Sequence, residues 1–241
     1  MVRVSVCIAT YNGEKYIKEQ IDSIITQLTD EDEIIISDDH STDNTINIIK
    51  QYNDSRIKIF LNENEKGYTE NFENALKKAS GQYIFLSDQD DKWVSDKVNI
   101  TLKYLIQDNY DMVISDCIIV DENLNTIKES YFKTRKSKAG FLKTIIKANY
   151  LGCCMAFNRE VFKRSVPFPG KYKYLPHDLW IGLIGYAFFK VKTTEKKLIL
   201  YRRHAKNVSD GGVKSKNTYI FKVQIRVYAM LNIIRCKYKK S

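Results

Sequence analysis

Short apolar runs alternate with helical patterns along the first 120 residues, and this alternation restricts the possible folds more than any other feature. Residues 4–9, 33–37 and 82–87 are compact and mainly apolar, as expected for strands that are buried on both faces. Between the first two runs, apolar residues from Ile17 to Leu28 recur at helical spacing. Strands that alternate with helices predict an α/β fold, with a mostly parallel central sheet and helices on both of its faces.

The pattern becomes irregular beyond residue 120. A strand at 111–120 is expected to be interrupted near Asp116, and the polar residues 124–138 predict a loop. The later elements expected from their spacing are helices at 141–148, 179–188 and 219–237 and a strand at 197–201.

The chain has 241 residues, a length that suits one domain. With only 3 prolines and no Gly- or Ser-rich run, it contains no segment typical of an interdomain linker. The N-terminal residues lack the long apolar stretch of a signal peptide, and no run approaches ~18 consecutive apolar residues. The five cysteines lack metal-ligand spacing, so we expect buried, reduced thiols and a cytoplasmic protein.

The net charge of +10 arises in the C-terminal tail. Residues 211–241 contain eight lysines and arginines and no acid, whereas the rest of the chain has 31 basic and 29 acidic residues. A near-neutral body argues against a nucleic-acid partner, which would require a basic face on the folded domain. The final helix has one apolar face, so it either lies on an anionic membrane surface or packs on the core.

Three carboxylates, those of Asp88, Asp90 and Asp91, follow the apolar run at 82–87 directly. Carboxylates this close repel one another unless a cation or a row of hydrogen-bond donors stabilises them. In a loop at a strand end they suit a hard divalent ion, Mg²⁺ or Mn²⁺, which prefers oxygen ligands. A solvated acidic turn is the alternative that these residues leave open.

Polar residues also follow the first two strands, with Thr10, Tyr11 and Asn12 after one and Asp38–Asp39 after the other. In open α/β sheets, ligands bind in the crevice at the carboxyl ends of the strands. The three polar groups are therefore predicted to line one crevice.

Together these segments resemble glycosyltransferase family 2, whose members have the A-type fold. The matching segments are Ile8–Asn12, Ser37–Asp43 and Phe85–Asp91, with looser similarity at 149–157, Pro176–Trp180 and Tyr201–His204. His40 stands where the family usually has glycine, so we expect a locally altered turn without loss of function. The Ser-Asp-Gln-Asp-Asp sequence is most similar to bacterial rhamnosyltransferases and related enzymes of cell-surface polysaccharide synthesis.

The resemblance implies a role for each matching residue. Asp178 is implied as the catalytic base, with a helix-capping aspartate as the alternative. Asp90 and His204 are implied to hold the divalent metal, and a surface histidine is the alternative for His204. The implied donor-binding residues are Thr10, Tyr11, Asn12, Asp39 (on the base), Asp88 (on the ribose) and Arg202.

We therefore expect an inverting, metal-dependent transferase that moves a sugar from a nucleotide diphosphate to a hydroxyl of a glycan or lipid-linked acceptor. The donor would be dTDP-rhamnose or a UDP-sugar, and the C-terminal helix would bind the inner face of the cell membrane. The expected organisation is a single catalytic domain at 1–210, with a nucleotide-sugar half at 1–120 and an acceptor half at 121–210, followed by a basic amphipathic helix at 211–241. A non-catalytic, receiver-like nucleotide-binding domain is the competing hypothesis, because such domains also gather acidic residues at strand ends.

Overall fold

The structure of the protein is a computed structural model that describes residues 3–147, 150–170, 175–205, 207 and 218–238. Its strands are β1 (Val4–Thr10), β2 (Glu33–Asp38), β3 (Ile57–Leu61), β4 (Tyr83–Asp88), β5 (Lys92–Trp93), β6 (Met112–Val120), β7 (Thr126–Lys128), β8 (Met155–Asn158) and β9 (Val191–Arg202). Its α-helices are α1 (Ile17–Ile25), α2 (Thr45–Lys50), α3 (Tyr68–Lys78), α4 (Lys97–Leu102), α5 (Tyr131–Arg135), α6 (Phe141–Ile146), α7 (Arg159–Ser165), α8 (His177–Phe188) and α9 (Tyr219–Tyr238).

The strands form one mixed sheet in the order β3-β2-β1-β4-β8-β6-β9-β5, with β7 paired to β6. The first four strands are parallel, and β1 lies between β2 and β4. The chain therefore passes from β1 to β2 on one side of β1, and after β3 it returns to place β4 on the other side of β1. Loops that diverge in this way open a ligand crevice at the carboxyl ends of the strands.

Side chains of the central strands alternate between two hydrophobic cores, one on each face of the sheet. Val6 and Ile8 of β1 pack with the buried residues of α1, whereas Cys7 packs with those of α3. The same alternation occurs along Ile34–Ile36 of β2. Both faces of a strand are buried because helices cover both faces of the sheet, which confirms the predicted α/β architecture.

The second half of the chain extends this sheet. β8 inserts antiparallel between β4 and β6, and β9 runs parallel to β6. The expectation of a loop at 124–138 was wrong, because this segment contains β7 and α5. β7 has only three residues, too few for the apolar alternation that would predict a strand from the sequence. β9 is also longer than the strand expected at 197–201.

The interruption expected near Asp116 is confirmed, because the register of β6 against β9 shifts on both sides of this residue. Asp116 is buried, and its carboxylate accepts hydrogen bonds from Ser130 Oγ at 2.5 Å and from the amide of Phe132 at 2.9 Å. The buried carboxylate thus gains donors from the start of α5 instead of being left unpaired. This contact anchors α5 to the sheet.

The C-terminal helix expected at 219–237 is present as α9, and it packs on the body through a face that includes Ala229 and Ile233. Its predicted apolar face points away from the core. The exposed fractions are 38–70% for Ile220, Val223, Val227, Met230, Leu231 and Ile234. An apolar face left uncovered in this way marks a contact surface. Among the described residues, no helix has both the length and the apolarity needed to span a membrane.

Candidate active site

A cleft of about 1900 Å³ opens at the carboxyl ends of β1, β2 and β4. Its walls also include the N-terminal end of α8 and the residues after β9. The predicted site residues that line it are Thr10, Tyr11, Asn12, Asp39, Asp88, Asp90, Asp178 and His204. Residues that are far apart in the chain therefore meet in the single crevice that the sequence predicts.

The two adjacent acids after β2 have different environments. Asp38 is turned into the protein, where its carboxylate accepts hydrogen bonds from Thr10 Oγ1 at 2.9 Å and from the Ser41 amide at 2.8 Å. Asp39 lines the cleft, and its two oxygens accept from Asn62 Nδ2 at 2.8 Å and from the Gly67 amide at 3.0 Å. Its carboxylate is therefore held in place at the cleft.

His40 adopts a left-handed conformation, with φ at 62°. This is the region of backbone space that favours glycine, the residue usual at this position in the family pattern. The imidazole Nε2 lies 3.1 Å from the carbonyl oxygen of Asn62. The turn accommodates the histidine in the left-handed conformation, and the side chain gains a local hydrogen bond.

Gln89 joins the acidic loop to the loop after β1. Its Oε1 accepts from the Tyr11 amide at 2.9 Å, and its Nε2 donates to the Tyr11 carbonyl at 3.0 Å. A Cβ at Gly13 would lie only 2.3 Å from Gln89 Oε1, so a larger residue there would displace the Gln89 side chain from these hydrogen bonds. Sequence reasoning did not assign a role to Gln89, whose partner lies 78 residues away.

Asp90 lies beside His204 at the metal-binding position that the resemblance implies. The distance from Asp90 Oδ2 to His204 Nε2 is 2.7 Å, and the same oxygen accepts from Asn207 Nδ2 at 3.1 Å. The His204 ring also lies 4.9 Å from the Tyr16 ring, measured between centroids. His204 is thus part of the site, and Asn207 is a further residue there that the sequence analysis missed.

The other two acids of this loop both have raised pKa values. Burial raises the pKa of Asp88, and the charge of Asp90 raises it further. Asp91 is fully buried, and its Oδ1 accepts from the Arg202 amide at 2.9 Å. Burial likewise raises the pKa of Asp91 well above its usual range. The crowding of these carboxylates is the situation that a cation in the cleft would relieve.

Two sets of side chains among the described residues could supply metal ligands. Asp88, Asp91 and Cys153 bring one ligand atom each within 4.8 Å of one another. The thiol of Cys153 has a strongly raised pKa through its hydrogen bond to Cys154 and its burial, and Cys153 does not line the cleft. Asp90 and His204 both face the cleft and offer the oxygen and nitrogen atoms that Mn²⁺ or Mg²⁺ accepts. The Asp90–His204 pair therefore fits such an ion better.

Arg202 is the one predicted site residue that does not line the cleft. Its Nε donates to the Asp90 carbonyl at 2.8 Å and its Nη1 to the Glu122 carbonyl at 2.7 Å, while Nη2 pairs with Glu19. The guanidinium also lies over the Tyr16 ring. These contacts fix the Arg202 guanidinium against the backbone of the acidic loop, outside the lining of the cleft.

Asp178 lies in the first turn of α8 and lines the cleft. Its Oδ1 accepts from the Leu179 amide at 2.7 Å, so it also stabilises the start of the helix. Burial raises the pKa of Asp178 to about 6, and the amide hydrogen bonds offset only part of this effect. A carboxylate with a raised pKa is a stronger base than an ordinary aspartate, and it still ionises near neutral pH.

The neighbours of Asp178 form an apolar setting for it. The His177 ring stacks on Phe72 with centroids 4.2 Å apart, and burial lowers the pKa of His177 to about 3. Trp180 is buried, and its Nε1 donates to the Ser165 carbonyl at 2.7 Å. His177 is thus neutral at physiological pH and supplies no charge that would stabilise the Asp178 carboxylate.

Two solved structures have a similar fold. The first is residues 1–349 of S. aureus TarS in complex with UDP-GlcNAc, with a TM-score of 0.73, 21% identity and coverage of 95% of this chain and 67% of that one. The second is glucosyl-3-phosphoglycerate synthase from Mycobacterium tuberculosis in complex with Mn²⁺, UDP and glucosyl-3-phosphoglycerate. Its TM-score is 0.64 at 18% identity, and the match covers 99% of this chain and 81% of that one. These likenesses establish the A-type glycosyltransferase fold.

Two curated relatives are similar in sequence. The Escherichia coli UDP-Glc:alpha-D-GlcNAc-diphosphoundecaprenol beta-1,3-glucosyltransferase WfgD is 30% identical over 181 residues, which are 75% of this chain and 69% of that protein. The dTDP-rhamnosyl transferase RfbG of Shigella flexneri is 29% identical over 233 residues, which are 88% of this chain and 76% of that protein.

The sequence model of the family described as glycosyl transferase family 2 matches residues 5–166, more than half of the chain. This segment holds the three loops after β1, β2 and β4 that line the cleft. The family model, the curated relatives and the fold all indicate a glycosyltransferase, so the hypothesis of a receiver-like nucleotide-binding domain is wrong. The chain belongs to glycosyltransferase family 2.

Proposed function

We propose that the protein transfers a sugar, with inversion, from a nucleotide diphosphate to a hydroxyl of a lipid-linked glycan in cell-surface polysaccharide synthesis. One observation carries this proposal: Asp178 and the Asp90–His204 pair line the same cleft. A base for the acceptor and ligands for a metal are the two sets of groups that a single displacement needs.

The acceptor hydroxyl would approach Asp178, whose carboxylate takes its proton as the oxygen attacks the anomeric carbon. The leaving diphosphate would depart on the opposite side, toward Asp90 and His204. A Mg²⁺ or Mn²⁺ ion held by these two residues would stabilise the negative charge of that diphosphate. Asp39 would bind the nucleoside base, Asp88 the ribose, and Thr10, Tyr11 and Asn12 would complete the donor wall.

The names of the two relatives support the substrate classes. WfgD is a UDP-Glc transferase with a diphosphoundecaprenol-linked acceptor, and RfbG is a dTDP-rhamnosyl transferase. For this chain we infer a UDP-sugar or dTDP-rhamnose as the donor and a diphosphate-linked lipid glycan as the acceptor. In this proposal residues 1–120 form the donor half of the catalytic domain, and residues 121–210 supply the base and the acceptor wall.

The product is expected to have the opposite anomeric configuration to the donor. A retaining double displacement needs a carboxylate that attacks the anomeric carbon, and we assign Asp39, Asp88 and Asp90 to the nucleoside, ribose and metal. An α-linked donor should therefore give a β-linked product, and β-linked dTDP-rhamnose an α-linked one. NMR of the purified product tests this, with the one-bond coupling between the anomeric carbon and its hydrogen as the readout. A product with the donor's own configuration would overturn the single-displacement mechanism and the role of Asp178.

We also propose that α9 places the enzyme on an anionic membrane. The double substitution Leu231→Ser and Ile234→Ser should weaken sedimentation with phosphatidylglycerol vesicles by about tenfold, because two half-exposed apolar side chains no longer enter the bilayer. Ile106→Ser is the matched control, since Ile106 is 50% exposed on a different part of the surface. Raised salt should weaken binding of the intact protein. Equal binding of the double variant and the control would exclude α9 as the membrane contact.

A further inference from the structure

Cations from two helices line the part of the cleft formed by α6 and α9. Lys222 and Arg226 lie one turn apart on α9, and Lys147 directly follows α6. Arg226 Nη1 donates to the carbonyl of Lys222 at 2.6 Å, and its Nη2 donates to the carbonyl of Ile146. The guanidinium thus joins α9 to the end of α6, next to the backbone of Lys147, whose Nζ donates to the Arg135 carbonyl at 2.6 Å. All three cations line the cleft. α6 packs in turn on α8, which carries Asp178 at its start.

This cation cluster, Lys147, Lys222 and Arg226, has no carboxylate to neutralise it within the part of the chain that the structure describes. None of the ion pairs among those residues involves any of the three. Partial burial lowers the pKa of the Lys147 ammonium, and the charges of Arg135 and Lys136 lower it further. The Lys147 ammonium thus lies among positive charges, which a bound anion would stabilise.

An exposed apolar surface lies on the same two helices. Leu142 and Ile146 of α6 are 70% and 62% exposed, and Val223 and Val227 of α9 are 39% and 53% exposed. Along these helices the cations and Ile146 line the cleft, whereas Leu142, Val223 and Val227 lie outside it and are exposed. A lipid-linked sugar has three parts that these features could bind. Asp178 would face its sugar hydroxyl, the cation cluster would bind its phosphates, and the apolar surface would contact its hydrocarbon chain.

We propose that the cation cluster is a subsite for the diphosphate of a polyprenyl-diphosphate-linked acceptor, with the exposed apolar surface of α6 and α9 receiving its hydrocarbon chain. This proposal rests on the proposed function, because the ligand is the acceptor of that transfer. Ammonium and guanidinium groups form charge-assisted hydrogen bonds with phosphate oxygens. Binding of the diphosphate would set the distance between the acceptor sugar and Asp178.

The test is the binding of farnesyl diphosphate to the full chain, measured by titration calorimetry in excess chelator without nucleotide. The chelator removes the metal that a diphosphate would need at Asp90 and His204. Lys222→Gln and Arg226→Gln should each raise the Kd about fivefold or more, since each removes one charged phosphate ligand. Lys222 makes no side-chain hydrogen bond that α9 depends on among the described contacts, so Lys222→Gln is the variant least able to disturb the fold. Lys237→Gln on α9, which removes a charge outside the cleft, is the matched control and should leave the Kd unchanged.

Two further ligands separate the sources of affinity. Inorganic pyrophosphate and farnesol should each bind at least tenfold more weakly than farnesyl diphosphate, since each lacks half of the proposed contacts. If pyrophosphate binds as tightly as farnesyl diphosphate, the cluster is a free-phosphate site and the proposal fails. It also fails if the Lys222 and Arg226 variants match the Lys237 control, or if Asp90→Ala abolishes binding, which would place the probe in the donor site. Glycosyl transfer by the wild type is measured separately; its absence would contradict the proposed function without changing the binding result.

Discussion

Replacing Asp178 by asparagine is expected to lower kcat by about 10³-fold while the Kd of the donor stays within about twofold of the wild type. Asparagine keeps the shape of the side chain and still accepts the Leu179 hydrogen bond through its amide oxygen. It cannot accept the proton of the acceptor hydroxyl, however, so the attacking oxygen must lose its proton to water. The check is a comparison of kcat with donor affinity from a thermal-shift titration.

The pH profile of the wild type provides an independent readout. Burial raises the pKa of Asp178 to about 6, and only the ionised carboxylate can take a proton. Below this pKa, kcat/KM should therefore fall about tenfold for each pH unit, whereas above it the rate should reach a plateau. The asparagine variant should lack this acid limb because it has no group that titrates at this position.

Glu160→Gln is the matched control for Asp178→Asn. Glu160 also occupies the first turn of a helix, α7, but it is exposed and paired with Lys163. It should keep full activity, and any effect of a first-turn acid on helix stability should appear in both variants. If donor binding collapses with the Asp178 substitution, or the protein loses stability without a specific loss of kcat, then Asp178 is a structural helix-start residue and the proposed base is wrong.

Replacing Asp90 by alanine is expected to remove Mn²⁺ binding and to lower transfer by about 10³-fold. Asp90 is one of the two proposed ligands that face the cleft, and His204 alone would offer a single nitrogen atom to the ion. The leaving diphosphate would then depart without a cation to stabilise its charge. Mn²⁺ titration by calorimetry, with and without the donor, measures this effect without any need for turnover.

Two companion variants test the location of the metal. His204→Ala should also weaken Mn²⁺ binding, whereas Asp30→Ala removes an exposed acid from a distant turn and should leave it unchanged. Full activity of the wild type in excess chelator would refute the metal requirement. Retained Mn²⁺ affinity in Asp90→Ala, combined with loss in Asp88→Asn, would instead assign the ion to the enclosed set formed by Asp88, Asp91 and Cys153.

The sequence alone determined the architecture of the first 120 residues and the place where their polar residues meet. The three successive isoleucines of β2, Ile34–Ile36, place apolar side chains on both faces of the strand, so both faces must be covered. The spacing of apolar residues in α1 marks a helix that can cover one of them. Because parallel strands end at one edge of a sheet, the polar residues after β1, β2 and β4 had to gather there. Local composition is sufficient for such inferences.

Only the tertiary structure decided which side chains face the cleft. Asp38 and Asp39 are adjacent acids, and the sequence does not show which of them bonds inward to Thr10; long-range hydrogen bonds settle this. Arg202 matched a family pattern, yet the backbone of the acidic loop, 112 residues away, takes its guanidinium out of the cleft. Gln89 and Asn207 carry no distinctive signal, because their roles depend on partners that folding brings to them.

The C-terminal helix shows the same division between what the sequence predicts and what only the tertiary structure decides. Its apolar spacing predicted a helix with one hydrophobic face, and α9 has that face. The spacing could not decide whether the face would be buried, because a helix can also pack through residues on its other side. Ala229 and Ile233 make that contact, and the larger apolar residues stay exposed. Periodicity in a sequence depends on the helix itself, whereas burial depends on the surface that the rest of the chain presents to it.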